Sequence, residues 1–213
     1  MPPTLVLASA STARLGVLRA AGFAPVVVVS GEPEDGVDGL PAPEVARTLA
    51  ERKADAVARR LEGAADAGGA EAPGPGSLVL GCDSVLAVGG EIRGKPGSPA
   101  QAAAWARGYR GATGTLVTGH AVVEVGSGRR AVGVAETTVR FGHATDAEIA
   151  AYVATGEPLA VAGGFTIDGY AAPFVDGLDG DHGNVLGLSL PLLRRLLAEL
   201  GIAITDLWAA PAR

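Results

Sequence analysis

Apolar and polar positions change their period several times along the chain. Leu5–Ala8 is an unbroken apolar run of strand length. A serine loop stops it, and a helical pattern follows from about Thr12 to Ala21. "FAPVVVVS" is a second β-branched run that ends in the turn-rich "GEPEDGVDGLPAP". From Pro43 to Leu61 the period becomes helical again, with Val45, Leu49, Val57 and Leu61 in one four-residue row and Lys53 in the middle of it. That row drifts by about 40° per step, so it curls across the helix face and keeps Lys53 among apolar neighbours. "LVLGCDSVLAV" predicts a strong strand interrupted by one acid, Asp83. "EIRGKPGSP" turns into a helix capped by Ser98, with Pro99 at its first position and an end near Gly108. "TLVTGHAVVEV" and "AVGVAETTVRF" predict a hairpin through "GSGRR". "TDAEIAAYVATGEP" is a helix with a capping box, Thr145 to Glu148, closed by Gly156. The last helix is "SLPLLRRLLAELG". Strands and helices interleave, which predicts an α/β domain with helices packed on a mixed sheet.

Composition narrows the reading. Hydrophobic residues make up 48% of the 213 and charged residues 19%, enough for a substantial core in a single domain over 1–213. "EGAADAGGAEAPGPGS" (Glu62–Ser77) is low in complexity and predicts a flexible surface loop without chemistry. A formal net charge of −6 argues against a nucleic-acid polymer as ligand, although a few local cations suffice for a small anion. Cys82 is the only cysteine, which excludes an internal disulfide and a cysteine-based zinc site. "MPPTLVLAS" lacks a basic signal-peptide start, and no stretch approaches the ~20 apolar residues of a membrane span. The expectation is a soluble cytoplasmic protein.

Several residues break the local pattern. Arg14 stands in the first turn of a helix, where partial positive charge disfavours it and no carboxylate balances it. With Ser9, Ser11 and the free N–H groups of the turn it would form an anion cradle; an exposed Arg tolerated at small cost is the competing reading. Asp83 interrupts a run that otherwise wants to be buried, so it needs a partner or caps a turn. Lys53 and Lys95 have stems that can stay packed while their ammonium groups reach a cleft or solvent. Glu34 follows a strand, a usual place for ligands in α/β sheets. His120, His143 and His182 have no metal-ligand spacing and read as ordinary polar residues, and Cys82 beside Asp83 reads as a small buried residue.

Together these stretches resemble the Maf family of nucleoside triphosphate pyrophosphatases, once described as septum formation inhibitors. "LASASTARLGVL" fills the family's opening pattern LASxSPRRxxLL, and its acid after the second strand falls on Glu34 in "SGEPED". The "AxxKA" lysine falls on Lys53, "ADT" becomes "CDS" with Asp83, and "GKP" is intact with Lys95. "YVATGEPLAVAGGFTIDG" and "GDHGNVLGLSLPLL" match the later motifs, and only the Glu62–Ser77 insert is left out. Ala13 and Thr12 depart from the family's arginine and proline, and Asp168 replaces a glutamine expected near the base, which leaves base preference open.

The resemblance implies an elongated mixed sheet with flanking helices, two lobes around a cleft, as in the inosine triphosphate pyrophosphatases. It implies hydrolysis of a nucleoside triphosphate, a pyrimidine (dTTP or UTP) or a modified one, to the monophosphate and pyrophosphate. Asp83, Lys95 and Arg14 would be catalytic, Ser9, Ser11, Lys53, Asp168 and Asn184 would bind substrate, and Glu34 and Asp83 would hold Mg²⁺, Mn²⁺ or Co²⁺. A homodimer is expected, with no nucleic-acid polymer and no membrane as partner. The rivals are a nucleotide-binding regulator of cell division that acts without hydrolysis, and a phosphatase that releases orthophosphate.

Overall fold

The first strand, β1 (Leu5–Leu7), is only three residues long and wholly buried, and the architecture grows from both of its edges. The chain leaves it through α1 (Thr12–Ala20) to β2 (Val26–Val27) on one side, then returns through α2 (Ala42–Asp66) to β3 (Leu78–Val88) on the other. Both pairings are parallel. β4 (Glu91–Arg93) folds back on β3, and α3 (Pro99–Gly108) leads to the hairpin of β5 (Thr113–Glu124) and β6 (Arg130–Phe141). α4 (Asp146–Ala154), β7 (Val175–Gly180), the short α5 (His182–Val185) and α6 (Leu190–Glu199) complete the order. The computed structural model describes residues 3–66 and 73–209. Within them the sheet has seven strands in the order β2-β1-β3-β5-β6-β7, with β4 on the free edge of β3. This is the predicted mixed α/β architecture.

Strand alternation divides the core between the two sheet faces. Leu5, Leu7, Leu78, Leu80 and Cys82 face α1 and α6, where Leu18, Leu193, Leu196 and Leu197 cover them. Val6, Ala8 and Val79 point the other way onto Ala50, Ala54, Val57 and Leu61 of α2. Beyond β4, Leu86, Leu116, Val139 and Phe141 pack under Tyr109, Tyr152 and Phe165. The predicted caps hold: Ser98 caps α3 ahead of Pro99, and the Thr145–Glu148 capping box opens α4.

The structure departs from the sequence expectation at several places, among them β4, a strand where none was expected. The valine run pairs only at Val26 and Val27, because its partner β1 offers just three residues before the chain turns into α1. The low-complexity stretch begins as helix: α2 continues five residues past Leu61 to Asp66, since Glu and Ala favour a helix once it is under way. The rest of that predicted loop, 67–72, lies outside the described residues, and Gly76 then joins the sheet end through Val125 O. β7 is missing from the sequence expectation, because "VDGLDG" is rich in Asp and Gly and lies half-exposed at the sheet edge. Among the described residues, no helix is long and apolar enough to cross a membrane.

Candidate active site

β3 is paired along one edge with β1 up to Leu80 and with β4 from Leu86 onward. Between them, Gly81–Val85 has β5 on its other edge and no strand on this one among the described residues. The gap lies just beyond the carboxyl end of β1, where the chain winds to opposite sides of the sheet, the place where open α/β sheets leave a crevice. A cavity of about 680 Å³ opens there. Because alternate residues of β3 face opposite ways, Asp83 enters it from the α2 face and Ser84 from the α1 face.

Arg14 reaches the cavity from α1. Its Nε donates to Gly187 O at 2.9 Å, and its two terminal nitrogens donate to Ser9 Oγ and Ser84 Oγ, both at 3.1 Å. All three partners are neutral, and no carboxylate pairs with it among the described residues. The first-turn cation therefore keeps its charge available to the cavity. Ser11 is committed locally: it caps α1, its hydroxyl accepting from Arg14 N at 3.3 Å. Ser9 Oγ also accepts from Ser11 N, at 3.1 Å.

Lys53 occupies the middle of the buried α2 row, with Val45, Leu49, Val57 and Leu61 around it. Its Nζ donates to Glu34 Oε1 at 2.8 Å and to Asp83 Oδ1. α2 comes close enough for this because two glycines face it. A Cβ on Gly81 would collide with Ala50 O, and one on Gly119 with Ala46 O. The same helix steers the loop carrying Glu34: Arg60 donates to Val29 O and Ser30 O, and Arg52 to Asp35 O. Lys95, just past β4, is exposed on the cavity wall, with no hydrogen-bond partner among the described residues.

The two acids differ electrostatically. Burial pushes the Asp83 carboxyl above its usual range, and the Lys53 ammonium pulls it back only in part. Burial also raises Glu34, but the Lys53 hydrogen bond and charge, helped by Lys95 and Arg14, together outweigh it and hold Glu34 low. Burial pushes the Cys82 thiol up to about 12, so it is a packed residue and no nucleophile. The carboxylates converge on one ammonium, so their oxygens lie close together. No cluster of three or more metal-ligating acids, His or Cys occurs among the described residues. Two hard oxygen donors, with the remaining positions left to water and phosphate oxygens, are what Mg²⁺-like ions accept.

Ser9, Ser11, Arg14, Glu34, Lys53, Asp83, Lys95 and Asp168 thus line one cavity. Asn184 does not. It is wholly buried in α5, with Nδ2 donating to Leu116 O and Thr137 Oγ1 at 3.1 Å each. Its contacts are structural, and it reaches the site only through a chain of bonds, since its backbone carbonyl accepts from Thr118, whose hydroxyl contacts Ser84. Two participants escaped the sequence reading. Ser84 follows the strand alternation, and Gly187 contributes only a backbone carbonyl, so neither carries a pattern anomaly. His120 also differs from expectation: it is fully buried, its Nδ1 bonds Thr118 O, and its Nε2 accepts from Ser189 N at 2.8 Å.

A family model described as Maf-like protein matches residues 4–200. Proteins named nucleoside triphosphate pyrophosphatase are similar over nearly the whole length. That of Streptomyces coelicolor is 57% identical over 205 residues, 96% of this chain and 94% of the relative. That of Thermosynechococcus vestitus is 47% identical over 201 residues, 94% and 96% of the two chains. That of Nocardia farcinica is 46% identical over 223 residues and covers both chains completely.

Proposed function

The chain belongs to the Maf-like protein family, and from that premise we propose that it hydrolyses nucleoside triphosphates to the monophosphate and pyrophosphate. The observation that carries this reading is the convergence of Arg14, Lys53 and Lys95, from three separate segments, on one cavity that also holds Glu34 and Asp83. A triphosphate bears about four negative charges, and cleavage moves charge onto the departing pyrophosphate. Fixed cations and N–H dipoles aimed at that charge lower the barrier. Arg14 is oriented by three neutral oxygens and offers its charge to phosphate. Lys95 approaches from the opposite, β4 side of the cavity, and the amino end of α1 supplies N–H groups.

Water attacks the α-phosphorus, the bridging bond from that phosphorus to the β-phosphate oxygen breaks, and the water's proton passes to Asp83. Burial raises the proton affinity of Asp83 above that of an ordinary carboxylate, which makes it a better proton acceptor. A divalent ion such as Mg²⁺, Mn²⁺ or Co²⁺, held by Glu34 and Asp83, would polarise a phosphoryl oxygen and screen the triphosphate. Lys53 keeps the two carboxylates together. The stretch that carries Val161, Phe165, Ile167 and Asp168 brings no cation to the cavity and suits the nucleoside end.

On the base itself, the reading extends to pyrimidine triphosphates such as dTTP and UTP, or modified ones, with Asp168 accepting a hydrogen bond from a base N–H. The test is a panel of nucleoside triphosphates incubated with Mg²⁺ or Mn²⁺ and resolved by chromatography. Monophosphate and pyrophosphate are expected; release of orthophosphate, or no turnover, rejects the reading. Faster turnover of dTTP and UTP than of purine triphosphates supports the narrower one.

A further inference from the structure

Glu157 lies outside the cavity, yet it governs part of the wall. It opens a 3₁₀ turn (Glu157–Ala160) directly after Gly156, whose φ of 77° favours glycine. Its Oε1 accepts from the Thr166 hydroxyl at 2.7 Å, and its Oε2 accepts from the Tyr170 backbone N–H at 3.0 Å. The carboxylate therefore straps both ends of a short arc, and the arc's middle residues, Ile167 and Asp168, face the cavity. The strap is tight. A Cβ on Gly169 would press on Glu157 Oε2 and Thr166 Oγ1, so a side chain there would have to displace the carboxylate from the arc.

The upstream end of the arc has further anchors, one of which, the Tyr152 hydroxyl, also lies against the Glu157 carboxylate. The Tyr109 hydroxyl donates to Gly163 O at 2.7 Å, the Tyr152 hydroxyl to Gly164 O at 3.2 Å, and Gly163 N to Gly94 O at 2.8 Å. Ile167 also packs on the core cluster beyond β4, but the position of Asp168 still depends on Glu157, because the Asp168 side chain makes no hydrogen bond of its own among the described residues.

We propose that Glu157 is a positioning residue that sets the nucleoside-facing wall of the cavity, acting through Thr166 and Tyr170 and leaving the phosphate grip untouched. This rests on reading the cavity as a nucleoside triphosphate site. The separation follows from the fold: the cations come from α1, α2 and the segment after β4, and none of them bonds Glu157. Without the carboxylate the arc gains freedom that nucleoside binding must remove, so affinity for the nucleoside is lost while the fixed cations still hold phosphate.

The experiment compares wild type with Glu157→Ala, Glu157→Gln and Thr166→Val. It measures kcat and KM for a nucleoside triphosphate, and the dissociation constants of an α,β-methylene nucleoside triphosphate and of inorganic tripolyphosphate. Glu157→Ala is expected to weaken the nucleotide analogue and raise KM by about tenfold with kcat within about twofold. Its tripolyphosphate affinity should stay at the wild-type value. Glu157→Gln, which keeps an acceptor oxygen, should recover part of the loss, and Thr166→Val should show a smaller loss in the same direction. Unchanged analogue affinity in Glu157→Ala overturns the proposal, as does an equal loss for analogue and tripolyphosphate, which marks general damage. Wild type that binds neither ligand overturns the functional reading itself and the proposal with it.

Discussion

Arg14 is held by Gly187 O, Ser9 and Ser84, so among the described residues nothing neutralises its charge. Arg14→Ala is expected to lower kcat/KM about 10²-fold, on the scale of ~3 kcal/mol for a lost charged contact. Steady-state kinetics returning wild-type values would take Arg14 out of the reaction. Asp83→Asn removes both a proton acceptor and an anionic donor, so turnover should fall nearly to background; retention of half the wild-type kcat would reject its role. His120 yields a prediction about stability. Burial pushes it down to about 4, with Arg14 adding to the effect and Thr118 and Asp181 opposing it. An unfolded histidine titrates near 6.5, so the unfolded chain binds the extra proton as pH falls from about 6.5 to about 4. Folded stability therefore drops across that window, by up to about 3 kcal/mol. Urea midpoints at pH 6.5 and pH 5 should show the drop in wild type and a smaller one in His120→Gln; equal slopes would contradict it. These residues were unequally legible in the sequence. Arg14, Lys53 and Asp83 each violate a local rule, a cation at a positive helix end or a charge in an apolar run. Ser84 violates none, and Asn184 shares its neighbourhood with motif residues while its amide nitrogen is spent on Leu116 and Thr137.

Helix α2 is the element that makes the site, because it brings Lys53 onto Asp83 and fixes the Glu34 loop through Arg52 and Arg60. Its seat is the bare backbone of Gly81 and Gly119, which its Ala46 and Ala50 carbonyls approach directly. Gly119→Ala must push the helix off the sheet, because the atoms in the way are backbone and cannot rotate aside. The expected cost is about 3 kcal/mol, the scale of core overpacking, together with a raised KM as Lys53 withdraws. Gly16, inside α1 with nothing within 4 Å of its would-be Cβ, is the contrasting case. Gly16→Ala should gain about 1 kcal/mol from helix propensity. Urea denaturation of both variants checks the pair; a harmless Gly119→Ala would mean that α2 is not seated as described. Elements with strong periodicity and caps were legible: β3 matches its predicted limits, and Ser98 and Thr145 cap the helices that follow them. β7 and β4 were not, since edge strands formed from Asp, Gly and charged residues are fixed by the neighbour they pair with, and that pairing is non-local.

At the scale of the molecule, the cavity exists because β1 ends before β4 begins. The sheet is continuous through β3 and β5, but on the free edge of β3 two separately supported structures face each other. One carries Ser9, Arg14 and Glu34 on the loop after β1, on α1 and on the loop after β2. The other carries Lys95 and the Phe165–Asp168 wall, joined by the Gly163 N to Gly94 O bond. A triphosphate held by both sides would bridge the gap non-covalently and bind only the folded chain. At a ligand concentration of about 100 Kd such a bridge adds about 2.7 kcal/mol to stability. For a protein of this size that is a rise of about 5–10 °C in Tm. An α,β-methylene nucleoside triphosphate, which cannot be cleaved at the scissile bond, is the ligand to use. At one fixed concentration the wild-type rise should be reduced in both Arg14→Ala and Lys95→Ala, although the two residues stand on opposite sides and neither bonds the other. A rise that Arg14→Ala abolishes and Lys95→Ala leaves intact would mean that the ligand rests on the α1 side alone and that the gap is not its binding site.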